Sequence, residues 1–163
     1  MTSTPEAPAE QPTSERSAAR AILAAMRPRQ WAKNVLVFAA PLAAGKLLSP
    51  DVFLVSVGSF VAFCLISSAT YLVNDVRDVE ADRAHPVKRR RPIAAGEIST
   101  TTALIVAAVL AVLALSLAFT IAPALGGVLV AYALSTGAHA LFVLSDPVIA
   151  LVLLAMGFPL RAI

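Results

Sequence analysis

Cysteine is almost absent from this chain: Cys64 is the single one among 163 residues, and it lies inside an apolar run. That excludes a disulfide framework and a thiolate metal site, and leaves Cys64 the role of a buried structural thiol. Charge is scarce as well, at 14% of residues, and is missing from most of the length. Apart from Lys46 and Arg161, every cation falls in two blocks. Arg16, Arg20, Arg27, Arg29 and Lys33 precede the first apolar run, and Arg77, Arg83, Lys88, Arg89, Arg90 and Arg91 follow the second. No apolar core follows an early basic region at the N-terminus, which carries Glu6, Glu10 and Glu15, so a signal peptide is excluded.

What fills the chain is hydrophobic residue, 58% of the total, against roughly 45–50% in soluble domains; the mean hydropathy is +0.80. This composition predicts an integral membrane protein of one domain. The expected fold is all-α, a multi-pass transmembrane helix bundle of about five spans, the last incomplete. By the positive-inside rule both basic blocks are cytoplasmic, which requires an even number of crossings between them. Two apolar runs separate them, so the count agrees.

Residues 1–17, rich in Pro, Ser, Thr, Glu and Ala without an apolar period, are expected to form a disordered cytoplasmic tail. The remainder, 18–163, forms the transmembrane domain. Ser17 to Met26 reads as a short basic helix at the lipid headgroups, ended by Arg27 and Pro28. The spans are expected at about 32–48, 52–73, 101–121, 124–144 and 147–163, with a cytoplasmic loop over 74–100. Pro41 and Gly45 interrupt the first, Ser49 and Pro50 open the second, and Ser99 caps the third. The last run is short for a span and ends without a polar segment. It predicts a fragment or a truncated reading frame.

The second span leads into SSATYLVNDVRDVEADRAHPVKRRRPIAAGEIS, Ser67 to Ser99. Continued as one helix at 100° per residue, Asn74, Asp75, Asp78 and Asp82 fall within an arc of roughly 100°, with Ser67 and Tyr71 on the same arc. Arg77 and Glu80 point the other way. Three carboxylates on one face repel one another unless a cation sits among them. A hard divalent ion is one such cation, and Mg²⁺ fits best because it takes oxygen ligands from one or two carboxylates and from substrate phosphates. The other reading is a solvated helix end whose acids pair with nearby Arg and Lys. Lys88 to Arg91 favour the first, since a phosphorylated ligand needs both a metal and donors for its remaining oxygens. Taken alone, the basic block would serve equally as a topology signal or an anionic-lipid contact. Pro86 and Pro92 stop helix continuation there, and Gly96 permits a tight turn. RPRQWAKN, Arg27 to Asn34, sets a dense group of donors at the mouth of the first span, with Trp31 in an aromatic-belt position.

The string Asn74-Asp75-x-x-Asp78-x-x-x-Asp82 resembles the first aspartate-rich motif of the UbiA superfamily of intramembrane prenyltransferases. His85, Pro86, Lys88, Arg91, Pro92, Ile93, Ala94, Gly96, Ile98 and Ser99, together with RPRQWAKNVLVFAAPL at Arg27 to Leu42, resemble one branch of it that moves phosphoribosyl onto decaprenyl phosphate. The resemblance covers about Arg20 to Ile163. It departs in two places. The family is nearly twice as long and carries a second aspartate-rich motif, absent here, and its fourth span closes on Tyr-Ser-x-x-Leu-Lys where this chain has His139, Val143 and Leu144. His139 reads as a structural intramembrane residue.

The resemblance implies a helical bundle in the cell membrane whose active site opens to the cytoplasm. The implied reaction is Mg²⁺-dependent transfer of 5-phosphoribosyl from phosphoribosyl diphosphate to a polyprenyl phosphate, a step toward cell-wall arabinan precursors. Asp75, Asp78 and Asp82 would be the catalytic residues, holding the metal with Asn74. Arg27, Gln30, Lys33, Asn34, Tyr71, Lys88, Arg90 and Arg91 would bind substrate. The lipid bilayer is a partner, nucleic acid is not, and a homo-oligomer is left open. Three alternatives stand beside this: transfer of a prenyl chain from a prenyl diphosphate to an aromatic or lipid acceptor, an ion path built on the carboxylates, and a truncated, non-catalytic remnant.

Overall fold

A computed structural model describes residues 18–142, with side chains described for 18–136. The expected tail at 1–17, the fifth span, Val143, Leu144 and the His139 side chain lie outside these. The described residues are helical: α1 (Ala18–Ala25), a 3₁₀ segment η1 (Pro28–Phe38), α2 (Ala39–Ala43), α3 (Pro50–Arg77), α4 (Val79–Ala84), a 3₁₀ turn η2 (Lys88–Arg90), α5 (Thr100–Ile121) and α6 (Pro123–Phe142).

The long helices α3 and α5 form the frame. At 28 and 22 residues both are long and apolar enough to cross a membrane, since 22 residues of α-helix span about 33 Å against a hydrocarbon core of about 30 Å. Pro50 opens α3 after an extended Ser49, whose side chain makes no capping bond. Ser99 does cap α5, its Oγ accepting from the Thr102 amide at 3.0 Å. The buried residues of α5, Ala103, Ala107, Leu110, Ala114 and Ala118, recur every three or four positions along one edge. Small side chains there let α5 approach α3 closely, as helices do in membranes. The outward face carries Ile105, Val109, Val112 and Leu113, all more than half exposed and all apolar.

Ala122, extended at φ −160°, turns α5 into α6, and Pro123 supplies a first-turn residue that needs no amide donor. Gly126 lies where α6 passes the Phe119 ring; a Cβ there would collide with it. Two apolar clusters result. One, at the far end, joins Ala62, Phe63 and Ile66 to Ala114, Ala118, Leu129 and Tyr132. The other joins Ala69 and Leu72 of α3 to Ala103, Ala107 and Leu110 of α5, and gathers Ala21 and Ala25 of α1 with Ile93 and Ile98 of the loop. The short basic helix expected at the headgroups is thus α1, and its alanine face is docked against α3.

The run expected at 32–48 differs most from expectation. It begins at Pro28, proceeds as 3₁₀ helix, and ends at Ala43. Gly45 then takes a left-handed φ of 66°, which closes the segment. Because 3₁₀ helix rises about 2.0 Å per residue, eleven residues of it reach about 22 Å, further than the same length of α-helix. Within the segment 74–100, α3 continues to Arg77, and α4 follows before the chain turns at His85. Between α2, α3 and the α5–α6 turn lies an apolar cavity of about 810 Å³, lined by Val37, Val52, Ser59, Phe63, Leu125 and Val128 among others.

Candidate functional site

The C-terminal end of α3 is where the chain concentrates its buried polarity. Asp75 and Asp82 have side chains only 5% and 3% exposed, and burying two carboxylates is costly unless cations accompany them. Two do. Arg27 Nη2 donates to Asp75 Oδ1 at 2.6 Å. Arg91 Nη1 donates to the same oxygen at 3.1 Å and to Asp82 Oδ2 at 2.6 Å. One guanidinium nitrogen therefore stands between two carboxylates, and a second guanidinium closes the other side.

Arg27 reaches this position through an unusual backbone. It is the one non-glycine residue at positive φ among those described, at φ 56°, ψ 59°, a conformation that costs an L-residue roughly 1–2 kcal/mol and that a following proline further disfavours. Its guanidinium also lies 5.1 Å from the centre of the Tyr71 ring, within cation–π range. The η1 segment is fixed to α3 just below. With three residues per turn, Trp31, Asn34 and Val37 share one face. Trp31 Nε1 donates to Ser68 Oγ at 3.0 Å, and the buried Asn34 places its Nδ2 3.4 Å from both Ser67 Oγ and Cys64 Sγ. Ser68 Oγ in turn donates to the Met26 carbonyl at 3.1 Å, one residue before Arg27.

Asp78 departs from the arc expected of a single helix. At φ −92°, ψ 10° it ends α3 and starts α4, so its side chain is 43% exposed and pairs with Arg77 Nε at 3.0 Å. Redirected by that break, α4 brings Asp82 back beside Asp75 without Asp78. Asn74 is half-buried and makes no side-chain hydrogen bond to the described residues. Lys33 and the η2 residues Lys88 and Arg90 are exposed, and Gln30 is half-buried. Thus Arg27, Tyr71, Asp75, Asp82 and Arg91 are brought together, Asn34 buttresses them, and Asp78, Gln30, Lys33, Lys88 and Arg90 stand apart. Two further residues belong to the setting. Trp31 and Ser68 anchor η1, and the signal for them was a pair of serines in an otherwise apolar helix opposite a Trp-x-x-Asn repeat.

The loop beyond is compact. His85 Nδ1 accepts from the amides of Val87 and Lys88 at 3.1 and 3.2 Å. The Pro92 carbonyl accepts from Glu97 N at 2.8 Å, with Gly96 at φ 80° in the turn. Ile93, 1% exposed, plugs this turn into the core and so anchors the backbone two residues after Arg91.

Among the described residues no three metal-ligating side chains are gathered into a set that could hold an ion alone. Two buried carboxylates facing one shared cation do suit a hard divalent ion that takes the rest of its oxygens from substrate phosphate and water. Guanidinium groups beside them suit those same phosphates.

Fold and site together define a membrane helical protein with a buried charged cluster at the C-terminal end of α3. The chain belongs to the UbiA prenyltransferase family, whose model matches residues 34–162; enzymes of this family are membrane helical bundles that generally use a divalent metal. It is 47% identical over 146 residues to the decaprenyl-phosphate phosphoribosyltransferase of Mycobacterium tuberculosis, covering 87% of this chain and 48% of the relative. The proteins of the same name from Mycolicibacterium smegmatis and Corynebacterium glutamicum are 43% and 45% identical, over 87% and 86% of this chain and 46% and 44% of theirs. The chain spans about half the length of these curated relatives.

Proposed function

We propose that this chain carries the donor-binding part of a Mg²⁺-dependent transferase that moves 5-phosphoribosyl from phosphoribosyl diphosphate to a polyprenyl phosphate, decaprenyl phosphate by the names of its relatives, toward cell-wall arabinan precursors. The observation that carries this is Asp75 and Asp82, buried, joined through Arg91 and flanked by Arg27. Asp75 and Asp82 would hold the metal, with Asn74 on the same face and Asp78 nearer the solvent. When bound, the metal would supply positive charge to offset the negative charge growing on the departing diphosphate. Arg27 and Arg91 orient the diphosphate by charge-assisted hydrogen bonds, and Tyr71 holds the Arg27 guanidinium in place. Lys33, Gln30, Lys88 and Arg90 border the site and are assigned to the 5-phosphate and the acceptor phosphate. The C1–O bond to diphosphate breaks as an acceptor phosphate oxygen bonds to C1. Because that oxygen is already anionic, no residue need remove a proton. The apolar cavity between α2, α3 and α6 is assigned to part of the acceptor's chain. The charged cluster and both basic blocks are assigned to the cytoplasmic side of a multi-pass bundle.

The test is binding of phosphoribosyl diphosphate to the purified chain in detergent with Mg²⁺, beside Asp75→Asn and Asp82→Asn. Loss of binding in both is expected; unchanged binding in either refutes the assignment. The family's own description names prenyl transfer, so a prenyl diphosphate donor is the rival reading. Displacement of the bound donor by farnesyl diphosphate as readily as by unlabelled phosphoribosyl diphosphate would favour it.

A further inference from the structure

We propose that Arg91 is an internal counter-cation: it occupies the position between Asp75 and Asp82 in the free protein and yields it only when metal and diphosphate arrive together. This rests on the proposed function and adds to it an order of assembly built into the site.

The geometry is specific. Arg91 Nη1 alone bridges Asp75 Oδ1 and Asp82 Oδ2, and a second cation cannot enter between those oxygens while it is there. Asp75 sits on the rigid end of α3 and Asp82 on α4, whereas Arg91 lies in the non-helical stretch between η2 and the Pro92 turn. Its side chain is 28% exposed, and its remaining guanidinium nitrogens make no hydrogen bond to the described residues. It can therefore swing outward while the carboxylates stay.

Charge then dictates what can enter. Two carboxylates and two guanidiniums balance. A divalent ion entering alone must expel Arg91 from its partners without giving it new ones. A diphosphate entering alone meets two buried carboxylates. When both enter, the ion replaces Nη1 between the carboxylates and the freed guanidinium finds phosphate oxygens. Each ligand thereby raises the affinity for the other by the same factor, as linkage requires.

The experiment measures Mn²⁺ binding to the purified chain in detergent by electron paramagnetic resonance, with and without inorganic diphosphate, for wild type, Arg91→Ala and Arg91→Gln. The glutamine variant keeps a neutral donor beside the buried carboxylates and serves if the alanine protein fails to fold. Arg83→Ala, which breaks the exposed pair with Glu80 and a 3.3 Å hydrogen bond to the Ala94 carbonyl but touches neither Asp75 nor Asp82, is the charge control. In wild type and Arg83→Ala, Mn²⁺ alone is expected to bind weakly and diphosphate to tighten it about tenfold or more. In the Arg91 variants Mn²⁺ alone should bind about tenfold tighter, and the enhancement by diphosphate should largely vanish. Equal Mn²⁺ affinity and equal enhancement in wild type and Arg91 variants would overturn the counter-cation proposal while leaving the proposed function standing. Absence of Mn²⁺ binding in every protein, with and without diphosphate, would overturn both.

Discussion

Arg27 joins a strained backbone to a buried ion pair, and the two contributions can be separated by comparing two substitutions. Arg27→Ala removes the 2.6 Å bond to Asp75 and the contact with Tyr71. A charge-assisted hydrogen bond contributes about 1.5–3 kcal/mol, and a partly exposed cation–π contact about 0.5–1 kcal/mol. Asp75 retains Arg91 at 3.1 Å, and Arg27 is 28% exposed, so the loss belongs at the lower end, about 2 kcal/mol in all. Alanine must still adopt φ 56°. Arg27→Gly loses the same side-chain contacts but escapes that penalty, and after the entropy glycine adds to the unfolded chain it should be about 1 kcal/mol more stable than Arg27→Ala. Thermal unfolding in detergent should therefore rank wild type above the glycine variant and the glycine variant above alanine, with about 2–4 °C between the last two. In an Asp75→Asn background, Arg27→Ala should cost less by about 1 kcal/mol, since the pair is already broken. A glycine variant melting at or below the alanine variant would refute the claim that the left-handed conformation is held by these contacts.

The three acids of the motif should behave unequally. Asp78→Asn, at a half-exposed pair with Arg77, should change stability by no more than about 0.5 kcal/mol, whereas Asp82→Asn should cost about 1–3 kcal/mol, both read by thermal melting of the ligand-free chain. Ser99→Ala should cost about 1 kcal/mol by removing the cap on α5, and Ser99→Asp should restore most of it in the same assay. Ala107→Leu, which forces a larger side chain into the α3–α5 seam, should cost about 1–3 kcal/mol; a neutral result by melting would mean the helices are not closely packed there.

The parts of this architecture legible in the sequence are those governed by length and local chemistry. The apolar runs coincide with α3, α5 and α6, and α3 and α5 have the length and apolar content that crossing lipid requires. Ser99, Gly96 and Pro50 mark turns and helix starts because each has a backbone preference that tertiary contacts seldom override. The motif is legible as a polar arc, but the direction of its later turns is not. Periodicity assumes a continuous axis, and Asp78 breaks that axis at φ −92°, ψ 10°. The buried apolar contacts of Val76, Val79 and Ile93 help set the new direction of α4, and no spacing within the motif announces them. Likewise the first run reads as a membrane helix interrupted by Pro41 and Gly45. Its three-residue face of Trp31, Asn34 and Val37 emerges only when η1 meets the serines of α3. Arg27 and Arg91 were flagged as cations for a ligand; that they first serve as cations for Asp75 depends on a contact across 48 residues of sequence.

That contact bears on why the acids are there at all. The last turn of a helix carries partial negative charge, so carboxylates near it are unfavourable by roughly 0.3–1 kcal/mol each before burial is considered. The sequence nevertheless sets Asp75 in the last turn of α3 and Asp78 at its cap, then buries Asp75 and Asp82, and recruits Arg27 from before η1 and Arg91 from the loop to offset them. Apolar residues of similar size would stabilise the same junction at least as well, since replacing a buried ion-pair group in that way is often neutral or favourable. A fold selected for stability alone has no use for this arrangement. Its cost is intelligible if the carboxylates must be available to a charged ligand, with Arg27 and Arg91 holding them in place until it arrives.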